Sequence, residues 1–159
     1  GVILSEKSNF INSTFEDGII LSEQNLLELI KKEKLVVPAR YFLGRTVKEH
    51  FKLDGNCVKI LENIIAEKCN EEFQRSFEKS LSRGYLFPCN ILLTNRKEFN
   101  EYCELIFPIL DEHKLEYNKE SKDYNRIAGY MGELLTNAFI QYKIKQGRRV
   151  AEYKLVYLL

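Results

Sequence analysis

Residues 126–140 leave this chain little freedom. Ile127, Met131, Leu134, Leu135 and Ala138 recur at helical spacing and predict one broad apolar face. Arg126, Gly129, Glu133 and Asn137 follow one another at steps of three, four and four, so they share a different stripe of the same helix. The pattern predicts a helix from about Asp123 to Lys145, whose apolar face other elements must cover. Gly129 and Gly132 each cost about 1 kcal/mol relative to Ala inside a helix. Two of them in one turn predict close packing by a neighbouring element or a ligand.

The covering elements are legible upstream. Residues 1–21 carry polar breaks at Ser8-Asn9, Asn12-Ser13 and Asp17-Gly18 and read as an irregular N-terminal segment, leaving 22–159 as a single α/β domain. Ser22 is placed to cap a helix that shows Leu26, Leu27 and Ile30 on one face as far as Lys34. Leu35-Val36-Val37-Pro38 reads as a buried strand ended by proline. Thr46 opens a short helix through Val47, Glu49, His50 and Phe51. A second helix follows Asp54-Gly55 with Val58, Leu61, Ile64 and Ile65 inward, and a third, more polar one spans Asn70 to Leu81. Tyr85 to Leu93 reads as extended, with an irregularity forced by Pro88. Phe99, Tyr102, Cys103, Ile106 and Leu110 mark a helix that starts at Arg96. Residues 115–122 read as a polar loop, and Ala151 to Leu158 as a last strand. The expected fold is a helix-rich α/β domain with too few strands for a large sheet.

Charge excludes some functions. With 24 basic and 23 acidic side chains the formal net charge is +1, which gives no support for nucleic-acid binding or an anionic-membrane dock. The Arg148-Arg149 pair reads as a solvated helix end. No segment has the roughly 18 apolar residues of a membrane span, and the first residues lack a signal-peptide pattern. Cys57, Cys69, Cys89 and Cys103 form no C-x-x-C pair and read as reduced, mostly buried thiols, which implies the cytoplasm.

Chemistry has few places to sit. Glu133 and Arg126 share the polar stripe of the long helix, where they are either solvated or turned toward a ligand. Glu49-His50 joins a carboxylate to an imidazole and can supply a base, a hydroxyl contact or a metal ligand. Adjacent helical residues face different ways, so the two do not make a tight dyad. His113 lies at a charged helix end and reads as solvent-facing. Asn90, inside an apolar run, either ties down backbone or points into a site. There is no G-x-G-x-x-G, P-loop, G-x-S-x-G or H-E-x-x-H. There is also no D-x-D, the short acidic motif with which many sugar-nucleotide transferases hold a cation against the donor diphosphate.

Five short words occur in order: Val36-Val37-Pro38, Val47-x-Glu49-His50-Phe51, Asn90-Ile91-Leu92, Phe99-x-x-Tyr102-Cys103 and Arg126-x-x-Gly129-x-x-x-Glu133-x-Leu135-x-Asn137. Together, across about residues 20–158, they resemble an uncharacterised domain family of capsular and exopolysaccharide biosynthesis loci, regarded as glycosyltransferases. The family pattern is similar to V-x-E-H-[YF], N-x-F-x-M, Y-C-x-W-L-F and R-x-x-G-F-L-x-E-R-L-L. Leu105 stands where the family tends to have Trp, Leu134 where Arg follows the glutamate, and Leu92-Leu93 where Phe and Met are common. The resemblance implies the C-terminal, acceptor-side part of a GT-A-like transferase of bacterial surface polysaccharide, with nucleotide-sugar donor and glycan acceptor as partners. It implies Glu133 as catalytic carboxylate, with Glu49, His50, Asn90, Arg126 and Asn137 binding substrate and a divalent cation, Mn or Mg, as possible cofactor. Family members usually carry an N-terminal section before this region, so an upstream segment, a partner chain or self-association is expected to complete the site. The alternative is a non-catalytic glycan- or partner-binding module.

Overall fold

The computed structural model describes residues 2–5, 23–32, 34–51, 56–117 and 124–157. In chain order these form β1 (Val2–Ser5), α1 (Glu23–Lys31), β2 (Lys34–Pro38), β3 (Tyr41–Phe42), α2 (Val47–His50), α3 (Cys57–Lys68), α4 (Glu71–Leu81), β4 (Tyr85–Leu86), α5 (Arg96–Glu116), α6 (Tyr124–Lys145) and β5 (Arg149–Tyr157). The fold is the expected helix-rich α/β arrangement. The cap expected at Ser22 and the Asp54-Gly55 break before α3 lie outside the described residues.

Three strands make a small mixed sheet in the order β1-β5-β2. β5 is central, with β2 parallel to it from Lys34↔Arg149 to Pro38↔Tyr153 and β1 antiparallel from Val2↔Tyr157 to Ser5↔Lys154. Val2–Ser5 is therefore a paired strand, not part of an irregular segment; residues 6–21 lie outside the described residues. Leu35, Val36 and Val37 are fully buried. Leu35 and Val37 pack with Phe87 and Ile140 on one face, while Val36 meets Tyr153 on the other. Burial on both faces is why this strand is an unbroken apolar run. Its outer edge is closed by Leu93, whose N–H and C=O exchange 2.9 Å bonds with Val36.

The main core lies between the helices. Ile127, Met131, Leu134, Leu135 and Ala138 of α6 are buried as their spacing predicts, against Phe73 and Phe77 of α4, Leu61 and Ile65 of α3, and Ile106 of α5. Each of these Leu, Ile, Met and Phe side chains contributes about 1.5–3 kcal/mol when fully buried. Two polar joints fix helix ends. Asn70 caps α4 by accepting from Phe73 N–H at 2.9 Å, and Gln74 donates to the Cys69 and Ala66 carbonyls that end α3.

Several sequence expectations change. Tyr85–Leu93 is not one extended run: β4 stops at Leu86, and Cys89 and Asn90 form a turn with φ of 70° and 52°. The irregularity thus lies one residue beyond Pro88. α5 continues through Glu116, so Leu115 is helical rather than loop. Arg148 is no solvated helix end: its Nε and Nη2 lie 2.6 and 2.9 Å from the buried carboxylate of Glu98. Among the cysteines, all free, Cys89 is exposed.

His113 is fully buried, contrary to the expectation of a solvent-facing side chain. Its Nε2 lies 2.9 Å from the Cys57 carbonyl and its ring stacks on Tyr117, so it ties α5 to the start of α3. Burial lowers its pKa, with the Cys57 carbonyl opposing that shift. The folded chain therefore resists a proton that the unfolded chain accepts below about pH 6.5. Stability supplied by neutral His113 is complete above that pH and is lost as pH falls from there toward the depressed folded value. The drop in Tm between pH 7.5 and 5.5 is expected to be smaller in His113→Gln than in the parent. An equal drop in both would contradict the assignment.

Candidate functional site

Asn137 sits on α6, and its side chain reaches the segment that leaves β4. Its Oδ1 accepts from Phe87 N–H at 2.8 Å, while Nδ2 donates to Phe87 C=O at 3.0 Å and to Glu133 C=O at 2.8 Å. Both amide hydrogens are thus spent on backbone, and the residue is buried. In this structure the amide holds the exit of β4 on α6.

Two residues beyond Phe87, the Cys89 N–H donates to Glu133 Oε1 at 2.6 Å. Glu133 is half-buried on α6. Burial raises the pKa of its carboxyl, and the Cys89 N–H and the charge of nearby His50 partly oppose the shift. A carboxyl held this way is closer to neutral-pH proton transfer than an exposed one.

Asn90 lies on the same turn. Its Nδ2 donates to the Gly129 carbonyl at 3.0 Å, so of the two readings open to it, tying down backbone is the one observed. Gly132 faces the Asn90 amide, and an added Cβ would lie 3.6 Å from it, an ordinary contact. A Cβ at Gly129 would meet nothing within 4 Å among the described residues. The neighbour predicted from the two glycines is therefore this turn, which meets Gly129 through its carbonyl and Gly132 where a side chain would stand.

α2 supplies the second wall. Thr46 caps it in a reciprocal box: the Thr46 side chain accepts from Glu49 N–H at 3.2 Å, and Glu49 Oε2 accepts from Thr46 N–H at 2.8 Å. The Oε2 of Glu49 is thereby turned onto its own helix start. His50 is exposed, and its charge acts on Glu133. Phe51 carries α2 against α6, with its ring 5.7 Å from that of Tyr130. Arg126, one turn before Tyr130, is exposed; its Nε donates to Tyr130 Oη at 2.9 Å and its guanidinium lies over that ring.

The structure thus brings Glu133 and the Cys89–Asn90 turn together, with the charge of His50 acting on Glu133 and Arg126 earlier on the same helix. It places Glu49 and Asn137 in supporting joints. Sequence reasoning missed Tyr130 and Cys89. Tyr130 lay unremarked between stripe and apolar face, and Cys89 acts through its main chain, which no side-chain pattern reveals. The Thr46-x-x-Glu49 spacing was a legible capping signature.

Removing the Asn137 amide leaves the Phe87 N–H and C=O buried without their partner. Asn137→Ala is expected to cost about 2–4 kcal/mol of unfolding free energy in urea denaturation. A loss below about 1 kcal/mol would show that the clamp is dispensable.

Residues 5–145 match the sequence profile of a family described as Domain of unknown function (DUF4422). A search of curated proteins gives no match. Among solved structures the chain is similar to the apo structure of WbbM, a bifunctional glycosyltransferase, with a TM-score of 0.78 at 17% identity. That likeness covers 99% of this chain and 32% of the other, so the chain spans about a third of its structural neighbour. At this identity the likeness is one of fold: a glycosyltransferase-like α/β arrangement. No described helix is long and apolar enough to cross a membrane. With the matched residues covering most of its length, the chain belongs to the DUF4422 family.

Proposed function

We propose that this domain is the acceptor-side part of a cytoplasmic glycosyltransferase that builds bacterial surface polysaccharide (capsule, exopolysaccharide or O-antigen). It would move a sugar from a nucleotide-sugar donor to a hydroxyl of a glycan. The observation that carries the reading is Glu133, a half-buried carboxylate held by the Cys89 N–H beside His50, on a fold shared with a glycosyltransferase. In an inverting transfer, Glu133 takes the proton of the acceptor hydroxyl as its oxygen attacks the anomeric carbon. The bond from that carbon to the nucleoside diphosphate breaks, and the leaving group departs with the electron pair. His50 contacts a sugar hydroxyl, and Arg126 offsets phosphate charge. Asn90, Asn137 and Glu49 act by holding the turn, the β4 exit and α2 in place.

A divalent cation, Mn²⁺ or Mg²⁺, belongs to the same expectation. Among the described residues no three His, Cys, Asp or Glu side chains converge, so these residues do not make its site and no step above runs through it.

A second reading, a glycan- or partner-binding module without catalysis, is favoured by one surface. Tyr41 and Phe42 on β3 are 52% and 70% exposed, beside a Tyr85 ring flanked by the Arg40 and Arg83 guanidiniums at 5.2 and 5.1 Å. Exposed aromatics next to cations suit sugar rings or a partner surface.

Calorimetric titration of the chain with a panel of nucleoside diphosphate sugars, with and without Mn²⁺, tests for a donor site. Saturable binding that weakens about tenfold in Arg126→Ala, the loss of one charge-assisted contact, is expected if this chain holds a donor site. Binding unaffected by Arg126→Ala would take the phosphate role from Arg126, and no binding to any donor would leave the donor half to an upstream segment or a partner chain.

A further inference from the structure

We propose that Asn90 is a positioning residue, whose side chain locks the Cys89–Asn90 turn so that the Cys89 N–H is held on the Glu133 carboxylate in one geometry. The consequence for catalysis rests on the reading of Glu133 above; the lock itself does not.

The backbone gives the first reason. Cys89 and Asn90 both have positive φ, although neither is glycine. Such a conformation costs about 1–3 kcal/mol per residue and persists only where the surroundings over-determine it. Those surroundings are specific. Asn90 Nδ2 donates to the Gly129 carbonyl, which lies four residues before Glu133 and so belongs to the helical turn that carries it. Asn90 Oδ1 lies 3.3 Å from the Thr136 hydroxyl, one turn on the other side of Glu133. The amide therefore spans α6 from one side of Glu133 to the other.

A second layer holds the first. Thr136 Oγ1 is 2.8 Å from the Gly132 carbonyl and 2.8 Å from Tyr102 Oη. Thr136 has one hydroxyl hydrogen, and it is shared between Gly132 and Asn90, so Tyr102 is the donor in the third contact. The Tyr102 ring is fixed edge-on to Phe139 at 5.3 Å. Gly132 leaves the shelf on which the Asn90 amide rests. The turn is thus tied through Thr136 and Tyr102 to α5 as well as α6.

The groups that act on Glu133 are the Cys89 N–H from the turn and, through its charge, His50 from α2; Tyr102 lies behind Thr136, and Arg126 and Tyr130 come earlier on α6. The Cys89 N–H bonds the carboxylate directly and favours the ionised form. Releasing the turn weakens that bond while burial remains, so the protonation midpoint of Glu133 moves up.

The test is a ¹³C NMR titration of the Glu133 carboxyl in the full chain, assigned by its absence in Glu133→Gln. Asn90→Ala and Asn90→Gly are expected to move the midpoint upward, and Thr136→Val to move it less, because the Gly129 bond survives. Asn90→Gly carries the decision if Asn90→Ala fails to fold, since glycine has no left-handed penalty. A folded Asn90→Gly whose Glu133 titrates like the parent would overturn the proposal. A chain that shows the shift but transfers no sugar keeps the lock and loses the transferase reading instead.

Discussion

The bond between the Asn137 amide and the Phe87 backbone decides where the rest of the site can be. It joins positions 50 residues apart and fixes the exit of β4 against α6. From that point only Pro88 precedes Cys89, so the Cys89 N–H has little choice but to meet α6 near Glu133. Leu93, four residues further on, then bridges Val36 at the edge of β2. One buried side-chain amide thereby couples the small sheet, the turn and the long helix. This is the kind of fully satisfied polar contact whose removal costs more than its formation gains.

The helices act as a frame for that joint. α6 is buried along most of its length between α4 and α5, which lets a polar stripe on it hold a fixed direction. α5 is itself anchored by polar contacts at both ends: the buried Glu98 on Arg148 near its start, and His113 on the Cys57 carbonyl near its end. Lys143, almost buried, reaches Glu101 and ties the last turns of α6 to α5. The carboxylate at Glu133 sits in the middle of this frame, where burial can tune it, rather than on a loose edge.

Much of this frame was legible in the sequence because it is written in side-chain periodicity. The apolar face of α6, the both-face-buried run Leu35-Val36-Val37 and the start of α5 at Arg96 all follow from spacing. What was not legible depended on contacts between distant segments. His113 looked charged and terminal, yet the α3 start covers it. Arg148 looked like half of a surface basic pair, yet Glu98 claims it. The helical end of α5 hid under a polar composition. At the site, the stripe Arg126, Gly129, Glu133 and Asn137 announced itself, but its division of labour did not. Asn137 and Glu49 bond backbone groups, because a polar side chain near an unpaired N–H or C=O satisfies it first. The Cys89 N–H could not be read at all, since main-chain donors carry no sequence label.

The central claim is that Glu133 removes the proton from the acceptor hydroxyl. Its most direct test is sugar transfer from a nucleotide-sugar donor to isolated surface glycan, comparing the parent with a folded Glu133→Gln. The account predicts a fall in kcat of about 100-fold or more, the usual contribution of a general base. Near-parental turnover in Glu133→Gln would contradict it.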